Sequence, residues 1–162
     1  MFGLSLADVF VNWASFYANH AAVRTMVSYV HVAALIAAGG AAITADRGIL
    51  SALRLDGDAR RTQLAAVHKT HRIVAIGLVL ISMSGLLLFA ADVDTYLYSR
   101  VFWIKMSLMA LLLVNGAVLM AAERRASRGG VNAWSTLRFT AFASLALWFL
   151  TTLGGVALPN IG

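Results

Sequence analysis

The stretch MVSYVHVAALIAAGGAAITAD, residues 26–46, is long and apolar enough to cross a lipid bilayer as one α-helix. About 20 helical residues at roughly 1.5 Å each match a hydrocarbon core of about 30 Å. Its middle carries small residues at four-residue spacing, including Ala34, Ala38 and Ala42. Small residues let neighbouring helices approach closely in a membrane. We therefore expect this helix at the centre of a bundle of membrane-spanning helices.

The composition of the whole chain agrees with a single membrane domain over residues 1–162. Hydrophobic residues make up 60% of the chain and charged residues 12%, whereas a soluble domain has about 25% charged residues. The chain contains no cysteine, which excludes disulfides and thiolate metal sites. The net charge of +6 is concentrated between the apolar runs. We therefore expect no nucleic-acid partner, because no single face of the chain is basic.

The apolar runs predict four spans, at about residues 24–45, 73–91, 101–122 and 139–158. Residues 2–20 place polar side chains on one stripe and Trp13 on the opposite face, which predicts an amphipathic helix in the membrane interface. The alternative is that this segment forms the packed first turns of the following span. Residues 46–72 are interpreted as a polar connection, helical over 59–71, and Pro159 should close the fourth span.

Basic residues predict the orientation of these spans. The first connection holds six Lys and Arg residues and the third holds four, against three on the opposite side. By the positive-inside rule both basic connections face the cytoplasm, and both termini face the periplasm. The predicted fold is an all-α, up-down bundle of four transmembrane helices in a bacterial inner membrane.

A first group of candidate ligands lies in the outer half of the bundle. His31 should lie about 10 Å below the outer end of its span, and Met83 and Met109 about 12 Å below the outer ends of theirs. Lys105 lies one helical turn above Met109 on the same face of the third span. Imidazole with thioether sulfur suits Cu(I) or haem b iron. Alternatively, the methionines fill the core and Lys105 extends outward. We expect His31 and Lys105 to be buried and to share a polar pocket with Tyr29.

A second group of ionisable residues lies at the cytoplasmic end. His68 and His71 are three residues apart on one helical face, so that they could bind one metal ion together. His31 should lie too far away to be a third ligand. They could instead meet Glu123 and Asp46, or remain solvated, as interfacial histidines commonly do.

The second and third spans carry a specific likeness. This part of the chain resembles small bacterial four-helix membrane proteins related to the copper-resistance D-type membrane domain. The resemblance rests on the pair Ser84-Gly85, the tyrosines of the outer loop, Phe102-Trp103, Lys105 and Asn115. This resemblance implies a four-helix inner-membrane protein, with copper handling as a family-level activity. The chain is more loosely similar to four-helix cytochrome b proteins, from which it departs by lacking histidines paired at equal depth on facing helices.

The sequence contains no paired-carboxylate site, nucleophile motif or phosphate-binding loop. We therefore expect a non-catalytic accessory or assembly subunit of a larger membrane complex. Its partners would be the lipid bilayer and other membrane subunits, or a second copy bound through small-residue helix faces. The alternative function is a haem b or copper protein that uses His31.

Overall fold

The computed structural model describes residues 6–128 and 133–161, with the exception of the side chains of residues 6–8, 68, 69 and 161. Its elements are α1 (Leu6–Asn19), α2 (Ala21–Ala52), α3 (Gly57–Ala91), α4 (Val93–Tyr98), α5 (Arg100–Ser127) and α6 (Ala133–Ile161). The described residues contain no strand, which confirms the all-α class. Helices α2, α3, α5 and α6 are each long and apolar enough to cross a membrane.

The four long helices form an antiparallel bundle. Helix α2 packs along both α3 and α6, and α5 packs along α6. Helices α3 and α5 meet through side chains, with the rings of Phe89 and Phe102 stacked at 5.3 Å between centroids. Asn115 lies toward the middle of α5, and its Nδ2 donates to the carbonyl of Thr140 on α6 at 2.9 Å. We call the end that holds the α2–α3 and α5–α6 connections the inner end, and the opposite end the outer end.

Small side chains fill the interior of the bundle and large apolar side chains cover its exterior. Ala38 is completely buried, and Ala34, Ala42 and Ala45 are nearly so. By contrast, Ile36 on the same helix is 70% exposed. A water-soluble bundle would place its large apolar residues inside, whereas helices that meet in lipid pack through small ones. These four alanines of α2 therefore pack against other helices of the same chain.

The inner ends of α2 and α3 differ from the sequence prediction. Both helices continue well past the apolar runs, so that only residues 53–56 connect them, in place of the polar connection expected over 46–72. The reason is a second apolar face beyond the predicted boundary, where Ile49, Ala52 and Val67 are buried. The predicted helix over residues 59–71 is therefore part of α3. Helix α6 also includes Pro159 and ends two residues later, where one missing N–H costs little.

The N-terminal helix α1 is a separate element that folds back against α3. His20 adopts an extended conformation between α1 and α2, with φ −118° and ψ 93°. The indole Nε1 of Trp13 donates to the carbonyl of Leu87 near the outer end of α3, at 2.8 Å. The alternative that this segment continues the following span as its first turns is therefore wrong.

Candidate functional site

One polar cluster in the bundle receives a side chain from each long helix. This inner cluster consists of Asp46 on α2, His71 on α3, Glu123 on α5 and Ser144 on α6. His71 Nδ1 lies 3.2 Å from Glu123 Oε2, and their side chains are only 15% and 10% exposed. The Asp46 carboxyl lies beside the hydroxyl of Ser144 and interacts electrostatically with His71 and Glu123. The cluster therefore links all four long helices at one level.

Two apolar layers enclose the inner cluster. On the outer side lies an apolar group that includes Ala42, Ile81 and Trp148. On the inner side lies another that includes Ile49 and Leu137, both completely buried. Small residues of α2 beside Asp46, such as Ala42 and Ala45, allow the neighbouring helices to pack closely around the inner cluster. As a result, Asp46 is only 3% exposed although it lies six residues from the end of its helix.

The carboxyl group of Asp46 is incompletely satisfied. Among the described residues, its Oδ2 atom is buried and has no hydrogen-bond partner. A buried polar atom without a partner carries a substantial free-energy cost, and the cost is larger for a charged group. Such an atom is a candidate for functional chemistry, because selection for stability alone would remove it.

The sequence anticipated part of this cluster. Among the alternatives for His71, the contact with Glu123 near Asp46 is the one that the structure shows, and the solvated interpretation is wrong for this residue. The side chain of His68 lies outside the described residues. Asp46 was assigned to the start of the polar connection, which is wrong because α2 continues to Ala52 and buries it. Ser144 gave no signal, since serine is common in apolar helices.

Metal binding through His71 receives no support from this geometry. Within residues 6–128 and 133–161, no three His, Asp or Glu side chains are arranged to hold a metal ion. His31 lies near the outer end of the bundle, so it shares no site with His71.

A second polar group, the outer cluster, contains His31, Ser84 and Lys105. His31 Nδ1 lies 2.9 Å from Ser84 Oγ, which in turn lies 2.6 Å from the carbonyl oxygen of Leu80. We assign the hydroxyl hydrogen of Ser84 to the shorter bond, so the serine oxygen accepts from Nδ1–H of His31. In this tautomer Nε2 carries the lone pair of a neutral imidazole. Ser84 is accordingly not an activated nucleophile, although it pairs with a histidine.

Two glycines on α6 place Lys105 inside the bundle. A β-carbon at Gly154 would lie 3.5 Å from Lys105 Cβ, and one at Gly155 would lie 3.7 Å from its Nζ. Lys105 also interacts electrostatically with His31. Among the described residues, no carboxylate lies within ion-pair distance of its ammonium. His31 and Lys105 are thus neighbours in the outer half, at the depth that the sequence predicted.

The remaining predicted ligands lie elsewhere. Met83 is 61% exposed and lines an apolar groove between α2 and α3. Met109 packs against the outer apolar group. Tyr29 is 65% exposed, because two residues along a helix turn a side chain by about 200° from His31. The expected pocket that joins Tyr29 to His31 is therefore wrong, and the structure does not bring the methionines together around His31.

Comparison of the chain with protein-family models, with curated proteins and with solved structures finds no match. The function is therefore argued from the geometry of the chain.

Proposed function

We propose that this chain is a multi-pass protein of a bacterial inner membrane, and that it serves as a non-catalytic accessory or assembly subunit of a larger membrane complex. The four long helices supply the spans, and the basic residues at the inner end favour a cytoplasmic location for both connections. Both termini then lie in the periplasm, with α1 in the interface.

The observation that carries the subunit role is the groove between the outer halves of α2 and α3. It has a volume of about 250 Å³ and is lined almost entirely by apolar side chains: Met26, Val27, Val30, Leu80, Met83, Ser84 and Leu87. Methionine side chains adapt to different apolar partners and are common at binding surfaces. A groove of this shape suits a large side chain from the transmembrane helix of a partner subunit.

The buried polar groups also favour a structural role. Asn115 bonds to the backbone of α6, and His31 on α2 bonds to Ser84 on α3. Hydrogen bonds of this kind fix how helices pack in a membrane.

The groove is tested by site-specific photo-crosslinking in intact cells. A photoreactive residue at Met83 should give one discrete protein adduct, while the same residue at the exposed Leu113 of α5 should not. Val30→Trp, which fills the groove, should remove the Met83 adduct, and Leu113→Trp serves as its matched control. Equal crosslinking from both positions, or an adduct unaffected by Val30→Trp, would contradict the proposal.

A haem b or copper protein is the second candidate, and the assigned lone pair on His31 Nε2 is the observation in its favour. Neither of the methionines that the sequence suggested lies beside it as a second ligand, because Met83 faces the groove and Met109 packs in the apolar interior. The ammonium of Lys105 nearby also disfavours a bound cation. A Soret band or stoichiometric copper in the purified protein would replace the subunit proposal by this one.

A further inference from the structure

The inner cluster contains a feature that helix packing does not explain. Asp46 is 3% exposed, and its Oδ2 atom has no hydrogen-bond partner among the described residues. A carboxyl group used only as a structural link would be expected to satisfy both of its oxygens. The unsatisfied oxygen therefore points to a ligand that occupies it.

The charged groups around Asp46 restrict what that ligand can be. Helix α3 presents His71 and α5 presents Glu123, whereas α6 presents only the uncharged Ser144. The nearby arginines of the four helices are exposed and make no ion pair with Asp46 among the described residues: Arg47, Arg72, Arg124 and Arg138. The side chains of His68 and Lys69 lie outside those residues. Asp46 thus faces one second carboxyl group and one imidazole.

A metal ion fits this environment poorly, since the described residues hold no metal-binding group of three. A proton fits it well, because protonation removes the buried charge and converts Oδ2 into a hydroxyl. The three ionisable side chains of the inner cluster also differ in their exposed fractions. The side chains of His71 and Glu123 are 15% and 10% exposed, so they lie closer to the surface of the bundle than Asp46 does.

We propose that Asp46 is a proton-binding site in the inner half of the bundle, with the proton on Oδ2 and the His71–Glu123 pair linking it to the inner surface. In the binding step, a hydronium ion at the inner end transfers a proton to Oδ2. One O–H bond of the hydronium ion breaks as an O–H bond forms at Oδ2, and the products are a water molecule and a neutral carboxylic acid. This site goes beyond the subunit role, and either proposal can fail without the other.

Infrared difference spectroscopy of the full chain in liposomes tests this site. At about pH 5 exposed carboxyl groups are still mostly ionised, so a carboxylic C=O band that shifts in D₂O and disappears on raising the pH reports a buried group that binds a proton. We expect one such group per chain, lost completely in Asp46→Asn and retained in Asp94→Asn, which alters an exposed carboxylate of the outer connection. A band that survives Asp46→Asn, or no band in the unaltered chain, would overturn the proposal.

Two further variants keep the test decisive if Asp46→Asn fails to fold. His71→Gln removes a group that favours the ionised carboxylate, so the band should persist to higher pH. Glu123→Gln removes a repulsive negative charge, so the band should disappear at lower pH. Loss of the entire band in Glu123→Gln would place the proton on Glu123 and refute the assignment to Asp46. Unchanged titrations in both variants would refute the link to the His71–Glu123 pair.

Discussion

Gly77 marks a close approach of α3 to α2, and its substitution by alanine should destabilise the bundle. A β-carbon at this position would overlap the Cβ of Ala38 and would lie 3.3 Å from the Cα of Ala38 and 3.5 Å from the carbonyl oxygen of Ala34. Ala38 is completely buried and has no flexible side chain that could move aside. Since carbon atoms need about 3.5–4.0 Å, Gly77→Ala should push the two helices apart by roughly 1 Å.

Two opposing effects set the change in the free energy of unfolding that Gly77→Ala causes. Overpacking costs about 1–3 kcal/mol, whereas replacing a helical glycine by alanine gains up to about 1 kcal/mol. With the full helix gain, the free energy of unfolding should therefore fall by about 0–2 kcal/mol. Gly116 on α5 is a matched control, because a β-carbon there meets nothing within 4 Å. Gly116→Ala should keep only the favourable helix effect.

Reversible unfolding in mixed detergent micelles, followed by circular dichroism, measures both variants. The difference between Gly77→Ala and Gly116→Ala isolates the overpacking cost, about 1–3 kcal/mol. Equal stability of the two variants would show that α2 and α3 are not in contact at this position, and the proposed helix arrangement would then be wrong.

Three other substitutions test separate parts of the structure. Asn115→Ala should lower stability by about 0.6–1.7 kcal/mol, measured by the same unfolding assay, because the bond between α5 and α6 is lost. Trp13→Phe removes the hydrogen bond from α1 to α3, and limited proteolysis should then cut faster between α1 and α2. His31→Ala should lower the thermal midpoint, while His20→Ala should leave it unchanged, since His20 is exposed and bonds only within its own segment. Equal effects from the two histidine variants would contradict the burial of His31.

The sequence predicted the central helix because its small residues repeat with the period of a packed helix. It also predicted that His31 and Lys105 lie close together, since depth follows from the number of residues between a side chain and the end of its span. His31 and Lys105 were thereby placed at a common level. Depth is a one-dimensional quantity, and the number of residues along a helix is sufficient to estimate it.

The rotation of each helix about its axis was harder to predict. The four spans have apolar side chains on almost every face, so hydrophobicity does not indicate which face points inward. For this reason Tyr29 and Met83 were assigned to the interior although they face outward. Asp46 was misjudged for another reason: an aspartate at the end of an apolar run usually marks the solvent boundary, and only the packing of Ile49 beyond it shows otherwise.

The two polar clusters have a consequence for the kind of bilayer that this chain fits. His31 and Asp46 are fifteen residues apart on α2, which separates the two clusters by about 22 Å along the helix axis. With His31 about 10 Å below the outer end of its span, Asp46 lies about 32 Å below that end, close to the inner boundary of a hydrocarbon core of about 30 Å. In a thinner membrane the clusters would reach the headgroups, and in a thicker one they would move further into lipid. The spacing between His31 and Asp46 along α2 therefore favours a bilayer whose hydrocarbon thickness matches it.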